Sequence, residues 1–593
     1  MNHSSSERSQ VSTEIIDLEF DYSNKAYQNF IKKHPKNFKQ LQFSQNALQS
    51  KRLLSKLKAS KQLRSLSYVK STKKNDKFIL NTFKSQRFSL KQFSGLSNSL
   101  LKHFPNISIL DLGIQDESGL LGFKYLPHLH TLSLNIANDL PVEDCEDVKI
   151  LYYRFWHHLC SQKQLKSIQL NCHKFDDLFT STLSMIDEIF PALGHLENIT
   201  LNLDFPNSKY ISSKDFYFKN LFTHTTKIEV YDTMLPASHY IYDNIEAFSK
   251  LKTLCCENIK YGKIEQYQAG MDYPLNFRPL FALSTLQILQ KIDISFVLNS
   301  AESIEGFLEN FCLPLSIQIV RLVFQRINWS HLISFNQTED NPFEQHQQCL
   351  SFYKKWNCLK NLKSLALKFE NNESTDSPPT IYFVGPLLKN ISSLRSFDYA
   401  NHLLSEPNST QALDFMYLWE SFAHFQQDLE TLWVTDNSIT FENFVKIEEQ
   451  PVILKDLLIY GNVCGSHQSF RHLVEIFRNG TSDQKSLIIK ELKTQNSEEF
   501  TEYFRTLVKK TQNLHIRLYL DAAKVSDSAI VASLKKVVTQ ENQNSSISLY
   551  LANVKSTISN DLKQMQIDLS KNKIFARLQI LSPTRQLLYD FKN

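Results

Sequence analysis

The chain has 593 residues, of which 42% are hydrophobic and 21% charged, and its formal net charge is +5. That much apolar material excludes wholesale disorder, and the length implies several globular domains or one elongated repeat array. Only 12 residues are glycine, about 2% against the usual ~7%, which argues against a glycine-rich phosphate loop.

The N-terminal stretch MNHSSSERSQVSTEIIDLEF lacks the apolar core of a secretory signal, and Glu14, Asp17, Glu19 and Asp21 are unlike a mitochondrial leader. Residues 1–30, with serines at 4–6, are expected to form a polar disordered tail. Residues 31–91 are expected to hold a basic N-terminal cap and the first repeat. From Lys32 to Lys91 there are 17 basic residues and one acid, Asp76, whereas the rest of the chain carries 49 basic and 60 acidic residues. A basic end is therefore joined to a mildly acidic body.

Two readings of the basic end stand. Lys51, Arg52, Lys56, Lys58, Lys61 and Arg64 are candidate contacts for a polyanion: RNA, DNA, anionic lipid or an acidic protein tail. Alternatively they are the solvated face of a cap helix, because Leu53, Leu54, Leu57 and Leu63 are interleaved with them.

Further along, one spacing recurs: L-x-x-L-x-L. It appears early as LRSLSYV at Leu63. It then runs through ISILDLG at Ile107, LHTLSLN at Leu129, LKSIQLN at Leu165, LENITLN at Leu196, IEVYD near Ile228 and LKTLCCE at Leu251. The series continues with LQKIDIS at Leu289, IVRLVFQ at Ile319, LKSLALK at Leu362, LRSFDYA at Leu394, LETLWVT at Leu429 and LKDLLIY at Leu454. HIRLYLD near His515 and SISLYLA near Ser546 are weaker copies. Between Ile107 and Leu454 the mean step is about 32 residues, a period typical of repeat architectures.

The intervening segments carry helical periodicity. In SAESIEGFLENFC, Ile304, Phe307, Leu308, Phe311 and Cys312 form one apolar stripe, with Ser300 placed as the cap and Glu302 in the first turn. Phe470, Leu473, Val474 and Phe477 repeat the pattern before Gly480, as do Phe500, Tyr503, Phe504, Leu507 and Val508. One strand–helix unit cannot bury its own apolar face, but a stack of them buries a continuous core. Strands pack about 4.8 Å apart and helices roughly 8–10 Å, so such a stack curves with its strands inside.

Residues 57 to 553 thus resemble the leucine-rich-repeat proteins, and within them the longer, helix-containing repeats of the ribonuclease-inhibitor-like class. The family's Asn or Cys at the ninth position is met by Asn437 and Asn462, while Asn138 and Asn371 fall one place late. The resemblance implies an α/β solenoid, a horseshoe with a concave parallel sheet and convex helices. Irregular repeats would fill 92–553 and a C-terminal cap 554–593. The excess of Lys, Asn, Gln, Phe and Ser resembles divergent repeat proteins of ciliate-like protists.

No motif for nucleotide binding, metalloprotease or hydrolase chemistry occurs. His157, His158, Cys160, Cys172 and His173, and separately Cys464, His467 and His472, lie close in sequence. Periodicity puts them on helices and strand ends, where buried thiols and surface imidazoles explain them without a metal. No catalytic residue, cofactor or metal is expected. Nine cysteines without a C-x-x-C pair, and no apolar run of 18 residues, favour reduced thiols, the cytosol or nucleus, and no membrane span.

Strand alternation turns the third, fifth and seventh residues of each repeat toward the concave side. There the early repeats present Thr131, Ser133, Asn135, Asn198, Thr200 and Asn202. The later ones present Trp433, Leu458, Tyr460, Tyr519 and Tyr550, candidate anchors for a protein partner. The reading is a non-enzymatic scaffold or adaptor. The alternatives are a nucleic-acid-associated protein using the basic segment, or a ubiquitin-ligase substrate-recognition subunit, although no F-box-like helix pair precedes the repeats.

Overall fold

The computed structural model describes 16–17, 40–43, 65–68, 90–95, 101–114, 126–136, 154–172, 184–204, 218–231, 244–261, 277–332, 341–372, 380–403, 413–444, 454–475, 485–506, 514–521, 532, 546–552 and 575–580, several of these with short internal gaps. The chain divides into two compact units, Met1–Glu257 and Asn258–Asn593. Every strand pairing among the described residues is parallel, and each unit is an α/β solenoid of leucine-rich-repeat type.

The first unit contains β1 (Ile16–Asp17), β2 (Gln40–Phe43), β3 (Ser65–Tyr68), β4 (Gln92–Gly95), β5 (Ile109–Ile114), β6 (Thr131–Ile136), β7 (Ser167–Cys172), β8 (Asn198–Asp204) and β9 (Lys227–Tyr231). β10 (Thr253–Tyr261) crosses the division. Each strand pairs with the next in chain order. The leucine spacing sets the register: Leu110, Leu132, Ile168 and Ile199 are successive partners, and all are buried. Short helical turns and α1 (Lys219–His224) back the strands, with Phe222 stacked on Phe248 at 4.4 Å.

The second unit contains β11 (Lys291–Leu298), β12 (Ile319–Gln325), β13 (Ser364–Asn372), β14 (Ser396–Leu403), β15 (Leu413–Asp414), β16 (Thr431–Thr440), β17 (Asp456–Cys464), β18 (Lys485–Lys493), β19 (Leu514–Asp521), β20 (Ser546–Ala552) and β21 (Phe575–Ile580). β14 pairs directly with β16, while the two-residue β15 pairs with the end of β16. Its helices are α2 (Arg278–Ala282), α3 (Ala301–Asn310), α4 (Pro342–Gln345), α5 (Gln347–Trp356), α6 (Thr380–Lys389), α7 (Phe415–Ala423) and α8 (His467–Glu475).

α3 forms where the periodicity and cap place it. The Ser300 hydroxyl accepts from the Ser303 amide at 3.2 Å and Ser303 reciprocates at 3.1 Å, closing a capping box. Ile304, Phe307, Leu308 and Phe311 are buried, as are Phe470 and Leu473 of α8. Tyr503 packs edge-on against Phe470 at 4.8 Å. Phe477, Gly480, Phe500, Phe504, Leu507 and Val508 lie outside the described residues.

Several strands sit where no leucine repeat was read: β2, β18 and β21 lack the leading leucine of the motif, while β4 keeps it as Leu90 but has Phe93 and Gly95 where the next two leucines would stand. Parallel pairing also runs past both ends of 92–553, through β1 to β3 on one side and β21 on the other. β1 falls within the stretch whose composition suggests a disordered tail.

Candidate functional site

Alternation on β13 defines the two faces of the second unit's strands. Leu365, Leu367 and Phe369 are buried, whereas Ser364, Ala366, Lys368 and Glu370 are half-exposed. The inward side is aromatic: Phe296 and Phe324 stack at 6.5 Å, Phe324 and Phe369 at 5.2 Å, and both Phe296 and Phe324 meet Phe307 of α3. Phe307 in turn meets Phe352 of α5 at 5.8 Å. Helices therefore occupy one face of these strands. The opposite face is the candidate site.

In the first unit that face is polar and laterally hydrogen-bonded. Asn135 Nδ2 donates to Asp111 Oδ1 at 2.7 Å, and Asn171 Nδ2 donates to Asn135 Oδ1 at 2.7 Å and Ser133 Oγ at 2.9 Å. Gln169 Nε2 donates to Asn171 Oδ1 at 2.7 Å. In-register strands place equivalent side chains about 4.8 Å apart, within bridging reach for amides. Lys227 and Glu229 form an ion pair at 2.7 Å on the same face. Asp111, Gln169 and Asn171 escaped the sequence reading; the recurrence of Asn at the seventh repeat position (Asn135, Asn171, Asn202) was the available signal.

In the second unit the face turns aromatic around β16 and β17. Trp433 is 37% exposed, Leu458 is its register partner, and Tyr460 lies half-exposed beside Thr435. Leu458 occupies an outward position yet is only 8% exposed, with Trp433 as its register partner on one side. Tyr519 and Tyr550 are register partners on β19 and β20, and their side chains lie outside the described residues. So do Lys51, Arg52, Lys56, Lys58, Lys61 and Arg64.

Sequence reasoning missed the acids around Trp433. Asp398 on β14 is its other register partner, and Asp456 on β17 sits diagonally from it. Burial, opposed by Lys455 and reinforced by Glu430, holds the Asp456 carboxyl above its ordinary range. Lys455 pairs with Glu430 at 2.9 Å.

A second missed group is enclosed. The inward column that carries Phe296, Phe324 and Phe369 continues as Asn401 and Asp436. Asn401 Nδ2 donates to Asp436 Oδ2 at 3.1 Å, and the Tyr399 hydroxyl donates to the same oxygen at 3.4 Å. That hydroxyl also lies 2.6 Å from Thr380 Oγ1. Burial, with Asp436 adjacent, pushes the Tyr399 phenol well above the usual tyrosine range. Closed off from water and tied together, these groups hold the strand–helix interface and offer a substrate no entry.

Among the described residues no group of three or more His, Cys, Asp or Glu is placed to hold a metal ion, and no helix is long and apolar enough to cross a membrane. The described cysteines, Cys255, Cys256, Cys312, Cys349 and Cys358, are free thiols. No protein-family model and no curated protein matches the chain. Among solved structures, an internalin from Listeria monocytogenes str. 4b F2365 is similar at 13% identity with a TM-score of 0.28, over 64% of this chain and 83% of that one. The class of the protein, a leucine-rich-repeat-type α/β solenoid, rests on the parallel pairing and buried leucine register described above.

Proposed function

We propose that the protein is a non-enzymatic scaffold or adaptor that holds a protein partner on the open face of its strands. The observation that carries this reading is Trp433, a large aromatic side chain 37% exposed on the outward strand face, with Tyr460 diagonal to it. Aromatic anchors on such a surface commonly carry about 2 kcal/mol or more of binding energy each. The absence from the described residues of a metal-ligand group is compatible with binding and adds nothing to an enzymatic alternative.

Finer aspects belong to the same proposal. Helices between the strands, such as α3, α5, α6 and α7, support repeats of the ribonuclease-inhibitor-like class. The free thiols fit a reducing compartment, the cytosol or nucleus. A second reading, nucleic-acid association through the 32–91 segment, is favoured only by that segment's charge. Affinity purification of the full chain with and without nuclease separates the two. A nuclease-resistant protein partner that a folded Trp433→Ala, Tyr460→Ala variant no longer captures supports the scaffold; normal capture by that variant retires this face.

A further inference from the structure

Four of the seven large apolar side chains exposed among the described residues stand on one edge of the second unit, where the chain leaves a helix and enters a strand. Phe281, 60% exposed, and Ile288, 39%, lie on the way into β11, whereas Leu315, 64%, and Ile319, 40%, lie on the way into β12. Hydrogen bonds hold these connections side by side. The Cys312 amide donates to the Leu280 carbonyl at 3.3 Å, Ser316 Oγ to the Leu289 carbonyl at 2.7 Å, and Asn361 Nδ2 to the Leu315 carbonyl at 2.9 Å. Ile319 opens β12 between its register partners Lys291 and Ser364.

The same edge is basic. Residues 284–291, 314–319, 357–364 and 393–396, which lead into β11 to β14, carry Lys291, Lys360, Lys363 and Arg395 and no acid. Lys363 and Arg395 are exposed neighbours, the Arg395 amide donating to the Lys363 carbonyl at 2.8 Å. Glu430, next in that row, is taken by Lys455 at 2.9 Å. Among the described residues, nothing pairs with the charged ends of Lys291, Lys363 and Arg395.

We propose that this edge is a second docking surface, separate from the Trp433 face, for a protein segment that sets apolar side chains among aspartates or glutamates. Covering Phe281 and Leu315 removes apolar surface from water, and carboxylates beside them meet cations that have no partner of their own. A basic segment would be repelled. A second copy of the chain, docked through the same patch about a two-fold axis, would bring like charges together. Ile288 and Ile319 are less exposed than the other two and sit between neighbours. They call for side chains that reach in, which a peptide supplies and the plane of a lipid surface does not.

Panning a random peptide phage library on the immobilised full chain, with counter-selection on the Phe281→Ser, Leu315→Ser chain, tests this. Clones that depend on those two residues should combine apolar residues with Asp or Glu. Exchanging the acids of a synthetic clone peptide for Asn or Gln should weaken it about tenfold, the sum of two or more exposed ion pairs. Lys363→Gln, Arg395→Gln in the chain should cost about the same. The Trp433→Ala, Tyr460→Ala chain should bind the peptide as wild type does, so the scaffold reading and this proposal are scored separately. Dependent clones that are basic or neutral, or that tolerate the exchange, overturn the proposal, as does the lack of any dependent clone. It is overturned as well if the Phe281→Ser, Leu315→Ser change instead abolishes self-association in sedimentation velocity or binding to phosphatidylserine vesicles. Because the peptide exchange leaves the protein untouched, a variant that misfolds does not shield the claim.

Discussion

At the residue scale, the fold is decided by which side of a strand a side chain occupies. Leu365 is fully buried beneath the helices, while its neighbour Ala366 is half-exposed on the open face. Leu365→Asp is therefore expected to cost several kcal/mol, because an unpaired carboxylate would sit in an apolar layer, whereas Ala366→Asp should cost well under ~1 kcal/mol. Equal drops in thermal midpoint for the two variants would show the strand phase to be inverted. A second test concerns buried acids in their neutral form. The Tyr353 hydroxyl has no hydrogen-bond partner among the described residues. Burial pushes its phenol well above the usual range, and burial pushes the Cys349 thiol up to about 12. Folded-state pKa values raised in this way stabilise the protein below the unfolded values, roughly 8.5 for a thiol and 10 for a phenol, and that stability is lost as pH climbs toward the folded values. Tyr353→Phe should thus match or exceed wild type at pH 7 and lose stability less steeply above about pH 10. Melting curves from pH 7 to 11 with identical slopes for both proteins would refute it.

Elements carry the next level of specification, and here one glycine decides how closely two helices approach. A Cβ added at Gly385 in α6 would lie 2.7 Å from Tyr417 Cε1 of α7 and 3.0 Å from its hydroxyl. Tyr417 is not free to swing away without loss, since its hydroxyl accepts from Asn341 Nδ2 at 3.1 Å and its ring meets Tyr382 at 5.2 Å. Alanine normally favours a helix by about 1 kcal/mol over glycine. Overpacking costs about 1–3 kcal/mol, so Gly385→Ala should destabilise despite the propensity gain. Denaturant titrations in a double-mutant cycle with Tyr417→Ala should recover part of the loss, and strict additivity would mean that the contact is not the cause. The elements most legible in the sequence were those whose signals are local. The Leu-x-x-Leu-x-Leu strands and the Ser300-capped α3 needed only their own residues. β18 was missed because Gln484 stands where the motif wants leucine, although Leu487 and Ile489 keep the alternation. The Thr380–Tyr399–Asn401–Asp436 group and the acids beside Trp433 were illegible for a different reason: their members meet only once strands 30 or so residues apart are brought into register.

At the scale of the whole molecule the main asymmetry is electrostatic, with 17 basic residues and one acid between Lys32 and Lys91 against a surplus of acids elsewhere. Two mechanisms give this asymmetry opposite consequences. If the block contacts a polyanion, every phosphate it neutralises releases counterions, and log affinity falls with log salt by about 0.9 per duplex phosphate. Changing Lys51, Arg52, Lys56, Lys58, Lys61 and Arg64 together to Gln would then flatten that dependence with little change in stability, because exposed charges add only about 0–1 kcal/mol each. If the block is a solvated cap face, the interleaved Leu53, Leu54, Leu57 and Leu63 account for its pattern and the lysines serve only hydration. The scaffold reading expects the second behaviour: no salt-steep affinity of the full chain for RNA, duplex DNA or anionic vesicles, and unchanged partner capture by the six-residue variant. Binding of any of the three that weakens steeply between 50 and 200 mM salt, at roughly the slope above, and that the variant abolishes, would move the protein's function to its basic end. The open strand face would then be left to position a second component rather than to supply the primary contact.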